Sequence, residues 1–326
     1  MDVSIIIVNW NSSNFVRECL KSIYSQTKNL AFEVLVVDNA SFDGCDQILK
    51  EEYPSAIFIQ SKENIGFAKA NNLGFKHSSG RNLLFLNPDT KIVGPAINTL
   101  FNNLEKIVDA GSVGGKLLNS DLSIQTSCVQ PFPTVLNQAL DIDILKLRFP
   151  KLKLWGIQAL FFNNGTPTVV DAISGACIMI KREIFERIGL FNTNYFMYAE
   201  DIDLCYKVWQ AGYKTYFIND AQIIHHGGGS TAKHHINYLN SVLKRESIFR
   251  FLQTNKGQLT AQLYRASTIF ISLTRMMLIA LLIISIYSKD DRVNSLHDTF
   301  NKWKKIMRWS LGLERWALSF NNKNNL

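Results

Sequence analysis

Val3-Ser4-Ile5-Ile6-Ile7-Val8-Asn9-Trp10-Asn11 opens with a nearly unbroken apolar run and stops at two asparagines. A run without polar alternation is what a strand buried on both faces requires, and such strands occur in parallel sheets covered by helices. The run is too short for the apolar core of a secretory signal and no basic segment precedes it, so it reads as a first strand rather than a leader.

The pattern repeats outward from there. Phe15–Gln26 has apolar residues at 15, 16, 19, 20, 23 and 24, a helical spacing. Glu33–Val37 is a second buried strand. It is followed by the turn-rich Asp38-Asn39-Ala40-Ser41-Phe42-Asp43-Gly44 and a helix to about Glu52. Ala56–Gln60 is a third strand, Gly66–His77 is helical, and Asn82–Leu86 is a fourth strand ending at Asn87-Pro88-Asp89. Strand–helix alternation of this kind predicts an α/β domain with a parallel sheet.

After a helix over Ala96–Val108 the pattern loosens. Residues 117–170 mix Pro131, Pro133, Pro150 and Pro167 with apolar runs, as loops around a substrate would. Ala172–Lys181 reads as a strand and Arg182–Ile188 as a short helix. Tyr198–Ala211 reads as a helix opening with acids, and Thr215–Ile218 and Ala221–Ile224 as short strands. From Ile236 onward the chain is mostly helical. The expected division is a catalytic domain over 1–240 and a helical region over 241–326.

Composition narrows the function. The 326 residues carry 35 Lys/Arg and 27 Asp/Glu, a net charge of +8, with an apolar fraction of 47%. That supports a sizeable core and a polyanionic partner: nucleic acid, anionic lipid or a phosphorylated ligand. No zinc-finger or RNP-type signature supports nucleic acid. Cys19, Cys45, Cys128, Cys177 and Cys205 are odd in number and contain no C-x-x-C. They read as reduced, buried thiols rather than a disulfide framework or zinc site. No G-x-G-x-x-G follows a strand. Ala110–Leu117 only approaches a P-loop, with Gly115-Lys116 but Ala110 and Leu117 where Gly and Ser/Thr belong.

Ligands of open α/β sheets bind at the carboxyl ends of strands. Asn9 and Asn11 follow the first strand, Asp38 the second and Asp89 the fourth. Each alone is ordinary turn chemistry, but three at corresponding ends point to a site. A second acidic cluster, Glu200-Asp201-x-Asp203, opens a helix. One or two acids complement the helix dipole, whereas three within four residues repel one another and can create a base. His225-His226-Gly227-Gly228-Gly229 follows a strand, and His225 there is either a metal ligand or a turn residue. With Asp89 it would make a mixed N/O site suited to Mg²⁺ or Mn²⁺.

These pieces resemble the inverting glycosyltransferases of family 2, which have the GT-A fold: a Rossmann-like nucleotide-binding sheet with helices on both faces. The subgroup resembled is the bacterial rhamnosyltransferases of cell-surface polysaccharides, O-antigen among them. The resemblance runs from Val3 to about Phe251. It is carried by Ser4–Asn11, Val37-Asp38-Asn39-Ala40-Ser41, Asn64-Ile65-Gly66-Phe67-Ala68, Leu86-Asn87-Pro88-Asp89, Ser174-Gly175-Ala176, Phe196–Leu204 and His225-His226-Gly227-Gly228.

The resemblance implies that Asp38 accepts a hydrogen bond from a pyrimidine N3–H, with Asn9 and Asn11 near base and ribose. Asn64, Phe67 and Asn71 would lie along nucleotide and sugar. Asp89 would hold a divalent metal, with His225 completing the metal–diphosphate site. Asp201 would be the general base, with Glu200 and Asp203 positioning the acceptor. Ser174, Gly175 and Ala176 would line the sugar–acceptor junction. The family's metal motif is often Asp-x-Asp. Here it is Asn87-Pro88-Asp89, one carboxylate replaced by an amide, which should weaken metal affinity. The implied donor is dTDP-rhamnose, with UDP-galactose or UDP-GlcNAc as alternatives, and the implied acceptor is a polyprenyl-diphosphate-linked glycan. An inactive sugar-nucleotide-binding or scaffold protein would have lost a carboxylate, yet Asp38, Asp89 and Asp201 are all present.

The C-terminal region lies outside that core. Ala266–Tyr287 is apolar apart from Arg275, which leaves Met276–Tyr287 as a clean run of twelve, where a span needs about twenty residues. Residues 289–326 hold eight Lys/Arg against four Asp/Glu, with Trp303, Trp309 and Trp316 interleaved with Lys302, Lys304, Lys305, Arg308 and Arg315. This is the composition of an interfacial anchor on an anionic membrane surface. The expectation is peripheral or monotopic attachment at the cytoplasmic face of a bacterial inner membrane. The alternatives are a span or a helix pair packed on the core or in an oligomer.

Overall fold

A computed structural model describes residues 1–161, 165–227, 237–285, 291–314 and 316–317. In chain order the elements are β1 (Val3–Asn9), α1 (Ser13–Gln26), β2 (Phe32–Asp38), α2 (Cys45–Glu52), β3 (Ile57–Gln60), α3 (Phe67–Lys76), β4 (Asn82–Leu86), β5 (Thr90–Val93), α4 (Ala96–Lys106) and β6 (Ala110–Leu118). There follow β7 (Val129–Gln130), α5 (Val135–Ala139), α6 (Asp143–Arg148), β8 (Thr168–Val170), β9 (Ala172–Ile173), β10 (Cys177–Lys181), α7 (Arg182–Arg187), α8 (Glu200–Gln210) and β11 (Lys214–His225). The chain then turns helical: α9 (Asn237–Lys256), α10 (Gln258–Ser285) and α11 (Asp291–Ser310).

The chain forms two compact units. The first comprises Met1–Phe132, Leu147–Phe196 and Glu200–Ala232. Its sheet runs β3-β2-β1-β4-β10-β6-β11-β5, with β8 on β11. β3, β2, β1 and β4 are parallel, as their apolar runs predict. Every residue of β1 is buried. Beyond β4 the sheet is mixed, because β10 is antiparallel to both β4 and β6. The strand expected over Ala172–Lys181 is broken in two at Ser174-Gly175-Ala176, and the two strands expected over 215–224 are one, with a register shift between Ile218 and Gln222.

The P-loop-like stretch is β6. Its glycines are there for packing: a Cβ on Gly115 would sit 2.4 Å from the Ala221 carbonyl oxygen.

The second unit comprises Pro133–Lys146, Met197–Ala199 and Lys233–Leu326. α10 packs against α9, α11 and α5. Its core includes Ile279, Trp303 and Ile306. Trp309 is buried and donates from Nε1 to Glu246 Oε2 at 2.9 Å. Trp303 and Trp309 therefore serve this core and not a membrane interface, which corrects that part of the anchor reading. Gly228, Gly229, Arg315 and the end of the apolar stretch at Tyr287 lie outside the described residues.

Among the described residues one helix, Gln258–Ile284, is long and apolar enough to cross a membrane. Its buried side mixes apolar Tyr264 and Ile279 with polar residues, and much of its outward side is apolar as well. Thr268 and Ser272 are buried, while Phe270, Leu273, Met277, Leu281 and Ile284 are exposed. Arg275 is turned into the unit, where it lies 4.3 Å from the Trp303 ring centroid and donates to the Asp141 carbonyl.

Candidate active site

The carboxyl ends of β1 and β2 make the first part of the site. Asn9 is fully buried and uses its whole hydrogen-bonding capacity. Its Nδ2 donates to Asp38 Oδ1 (2.7 Å) and Asp43 Oδ1 (2.9 Å). Its Oδ1 accepts from the Ser12 N–H and hydroxyl. Asp38 Oδ2 accepts from the N–H groups of Ser41 (3.0 Å) and Phe42 (3.2 Å) and from Gln60 Nε2 (2.8 Å).

Burial alone would raise the Asp38 pKa. The donors Gln60, Ser41, Phe42 and Asn9 outweigh it and hold the carboxyl below its ordinary value. The loop they fix is strained, with Ala40 at φ 61° and Phe42 at φ 52°, a conformation non-glycine residues adopt at a cost. Asp43 accepts from the Ser13 N–H at 2.9 Å and so caps α1, whose own Ser12 makes no side-chain cap. Asn11 is exposed, at φ 52°, and donates its N–H to the Ser41 hydroxyl.

Asn39 ties this loop to the next. It donates to Asn64 Oδ1 (2.9 Å) and accepts from the Ile65 N–H (2.9 Å). Asn64 also accepts from the Gly66 N–H, just before α3. Gly66 sits at φ 80°, and a Cβ there would meet the Phe196 carbonyl oxygen at 2.8 Å. Asn71 is buried and donates to the Phe67 carbonyl. This bond holds the first turn of α3 together from inside.

The end of β4 and the end of β11 meet next. Asp89 Oδ1 lies 3.3 Å from His225 Nε2, and Asn87 Nδ2 lies 3.3 Å from the same nitrogen. His225 Nδ1 faces Gln125 Oε1 at 2.9 Å, while Gln125 Nε2 donates to the His225 carbonyl at 2.6 Å. A buried carboxylate oxygen and an imidazole nitrogen converge with an amide beside them. That is a hard-to-borderline donor set of the kind Mg²⁺ or Mn²⁺ accepts. Among the described residues no group of three or more His, Cys, Asp or Glu that could hold a metal is found, here or elsewhere.

The third part is the break between β9 and β10. Asn87 donates its N–H to the Ala176 carbonyl at 3.0 Å, which joins this loop to the Asp89 cluster. Asp201 Oδ2 accepts from the Gly175 N–H at 2.9 Å, and Oδ1 from the Ile202 N–H. The Phe67 ring borders the same glycine. The Ser174 hydroxyl accepts from the Ala176 N–H within the turn.

Glu200 is buried. Burial first, then the charges of Asp201 and Asp203, push its carboxyl up to about 8. Asp203 is 1% exposed, accepts from the Tyr195 hydroxyl at 3.1 Å and pairs with Lys207. These contacts tie the start of α8 to internal structure.

Asp38, Asn64, Phe67, Asn87, Asp89, Ser174–Ala176, Asp201 and His225 are thus placed on neighbouring loops at one end of the sheet. Asn9, Asn71 and Asp203 support them from within. Asp43, Gln60, Asn39 and Gln125 were missed by sequence reasoning. The Asp38-x-x-Ser41-x-Asp43 spacing marks the first of these, while nothing near Gln125 announces it.

A sheet of this order with carboxylates at its open end defines a glycosyltransferase of GT-A fold. The same fold is seen in the mannosyltransferase PcManGT of Pyrobaculum calidifontis, solved with GDP-Man and Mn²⁺. The match has a TM-score of 0.57 at 18% identity and covers 99% of this chain and 86% of that one. GalNAc-T7, solved with UDP, GalNAc and Mn²⁺, matches with a TM-score of 0.55 at 16% identity over 78% of this chain and 51% of that one. The sequence profile of glycosyl transferase family 2 matches residues 4–189.

The chain belongs to glycosyl transferase family 2 and is a glycosyltransferase. It is similar to the N-acetylglucosaminyl-diphospho-decaprenol L-rhamnosyltransferase of Mycobacterium tuberculosis, at 24% identity over 75% of this chain and 82% of that protein. It is also similar to rhamnosyltransferase WbbL of Escherichia coli, at 24% identity over 82% of this chain and 99% of that protein.

Proposed function

We propose that this enzyme transfers L-rhamnose from dTDP-rhamnose to a polyprenyl-diphosphate-linked glycan, with inversion, at the cytoplasmic face of a bacterial inner membrane. The observation that carries the reaction type is the Asp201 carboxylate anchored at the Gly175 turn, one loop from the Asp89–His225 pair. The rhamnosyltransferase relatives support the donor sugar and the lipid-linked acceptor.

Asp38 accepts the base N3–H on Oδ1, the oxygen left with a free lone pair once its neighbours have donated. Asp89 and His225, with Asn87 beside them, would hold a divalent metal, whose positive charge would favour departure of the diphosphate. Asp201 takes the proton of the acceptor hydroxyl as that oxygen attacks the anomeric carbon from the face opposite the diphosphate. The C–O bond to the acceptor forms as the C–O bond to the phosphate breaks, so one displacement inverts the centre. The raised Glu200 stays neutral at pH 7, which keeps a second negative charge away from the base.

The apolar outward side of α10 supports seating in lipid, and the basic tail supports an anionic surface. The test is a panel of dTDP-, UDP- and GDP-sugars with a short-chain polyprenyl-diphosphate-GlcNAc acceptor, measuring nucleoside diphosphate release and product anomericity. Turnover with UDP-galactose or UDP-GlcNAc but not dTDP-rhamnose would replace the donor assignment.

A further inference from the structure

Resting on the reading of Asp89 and His225 as metal ligands, we propose that Gln125 is a positioning residue that fixes His225 as its Nδ1–H tautomer and so aims the Nε2 lone pair at the metal. The hydrogen bonds place a proton on Nδ1. A backbone carbonyl only accepts, so the atom of Gln125 that lies 2.6 Å from the His225 carbonyl is the amide nitrogen. Its oxygen is then the atom 2.9 Å from His225 Nδ1, and that nitrogen carries the proton. A ring without a second proton presents a lone pair at Nε2, where Asn87 Nδ2 and Asp89 Oδ1 both lie at 3.3 Å. A lone pair facing a carboxylate oxygen is repulsive until a cation lies between them.

The backbone of His225 is held independently, since it pairs with Thr90 across β11 and β5 and the next N–H, of His226, donates to the Asp89 carbonyl. What remains free at His225 is ring rotation and tautomer, and Gln125 removes both. Gln125 is itself pinned, through its N–H to the Leu117 carbonyl at the end of β6 and its carbonyl to the Cys128 N–H. A ligating histidine whose other nitrogen donates to a fixed acceptor is oriented and made more basic, and losing such a partner typically costs 10–100-fold in metal affinity.

The test uses the full-length protein with ¹⁵N-labelled histidine. Long-range ¹H–¹⁵N spectra of the metal-free protein, with the His225 signals identified by their loss in His225→Ala, report the tautomer. Mn²⁺ binding is read from the electron paramagnetic resonance of free Mn²⁺ without sugar nucleotide. Wild type is expected to show a protonated Nδ1 and an unprotonated Nε2. Gln125→Leu should mix the tautomers and weaken Mn²⁺ about 10–100-fold. Gln125→Glu, which keeps the acceptor for Nδ1–H, should retain the tautomer. A wild-type tautomer in Gln125→Leu, or a lost one in a folded Gln125→Glu, overturns the inference. Unchanged Mn²⁺ affinity in His225→Ala overturns the metal reading instead, while a tautomer shift in Gln125→Leu would still uphold the positioning role.

Discussion

The carboxylate of Asp201 is held at 2.9 Å by the backbone N–H of Gly175, across 26 residues of sequence. A backbone donor cannot rotate away, so one carboxylate oxygen is fixed in direction. Asp201→Asn keeps the shape and can still accept from Gly175 through its amide oxygen, but it has no basic oxygen. Transfer is expected to fall about 10²–10⁴-fold, the usual worth of a positioned general base. Nucleotide affinity by calorimetry should be unchanged. Near-normal turnover would remove Asp201 from the mechanism.

Gly175→Ala probes the same contact from the other side. The new Cβ would lie 3.3 Å from the Asp201 Cβ and 3.6 Å from its Oδ2. That is tight enough to displace the carboxylate by a few tenths of an ångström without unfolding the turn. The expected result is a kcat lowered about tenfold or more with donor KM nearly constant, since misplacements on this scale are felt in the chemical step. Equal losses in kcat and melting temperature would mean that the glycine matters only for packing.

Asp38→Ala removes an acceptor from the buried Asn9 amide and from the more exposed donors on Gln60, Ser41 and Phe42. Orphaning a buried donor costs about 1–3 kcal/mol, so the variant should lose on that order in urea unfolding at pH 7 as well as nucleotide affinity. The pH dependence follows from its depressed pKa. Stability from this group is fully present above its unfolded value, near 4, and is lost as the pH falls through the lower folded value. Asp38→Asn should therefore flatten the acid limb of the stability profile. An acid limb as steep as in wild type would contradict the assignment.

Glu200 has the opposite sign. Its folded pKa, about 8, lies above its unfolded one near 4.5, so the folded protein loses stability relative to the unfolded chain as pH rises between the two. Glu200→Gln carries no such penalty. Its melting temperature should match wild type near pH 4 and exceed it increasingly up to pH 8, then keep a constant margin. A margin independent of pH would show that burial does not hold this carboxyl neutral.

Membrane seating is tested on the exposed face of α10. Phe270→Glu with Met277→Glu places two charges among outward apolar residues without touching the core, since both positions are well exposed. Co-sedimentation with phosphatidylglycerol vesicles should be lost, while α-helical content by circular dichroism is kept. Undiminished binding by the double variant would refute this face as the lipid contact.

The catalytic unit was legible where apolar runs are long. β1, β2 and β4 are buried on both sides, and their runs have no other stable reading. β6 was not legible because its glycines, placed for close approach of β11 and neighbouring side chains, look like a loop. The break at Ser174–Ala176 was hidden because small residues fit a strand as well as a turn. For the site, residue types marked Asp38, Asp89 and Asp201. They could not separate Asn71, which faces inward, from Asn64, which faces the loop. Gln125 escaped because its partner lies 100 residues away and glutamine has no chemistry of its own to advertise.

The outward side of α10 leaves a long apolar stripe uncovered on the helical unit. Thr268 and Arg275 find partners inside, and the outward Phe270, Met277 and Ile284 form an exposed apolar stripe. Purified without an amphiphile, the enzyme would be expected to cover that stripe with other copies of itself, so that clustering, turnover and detergent concentration would vary together.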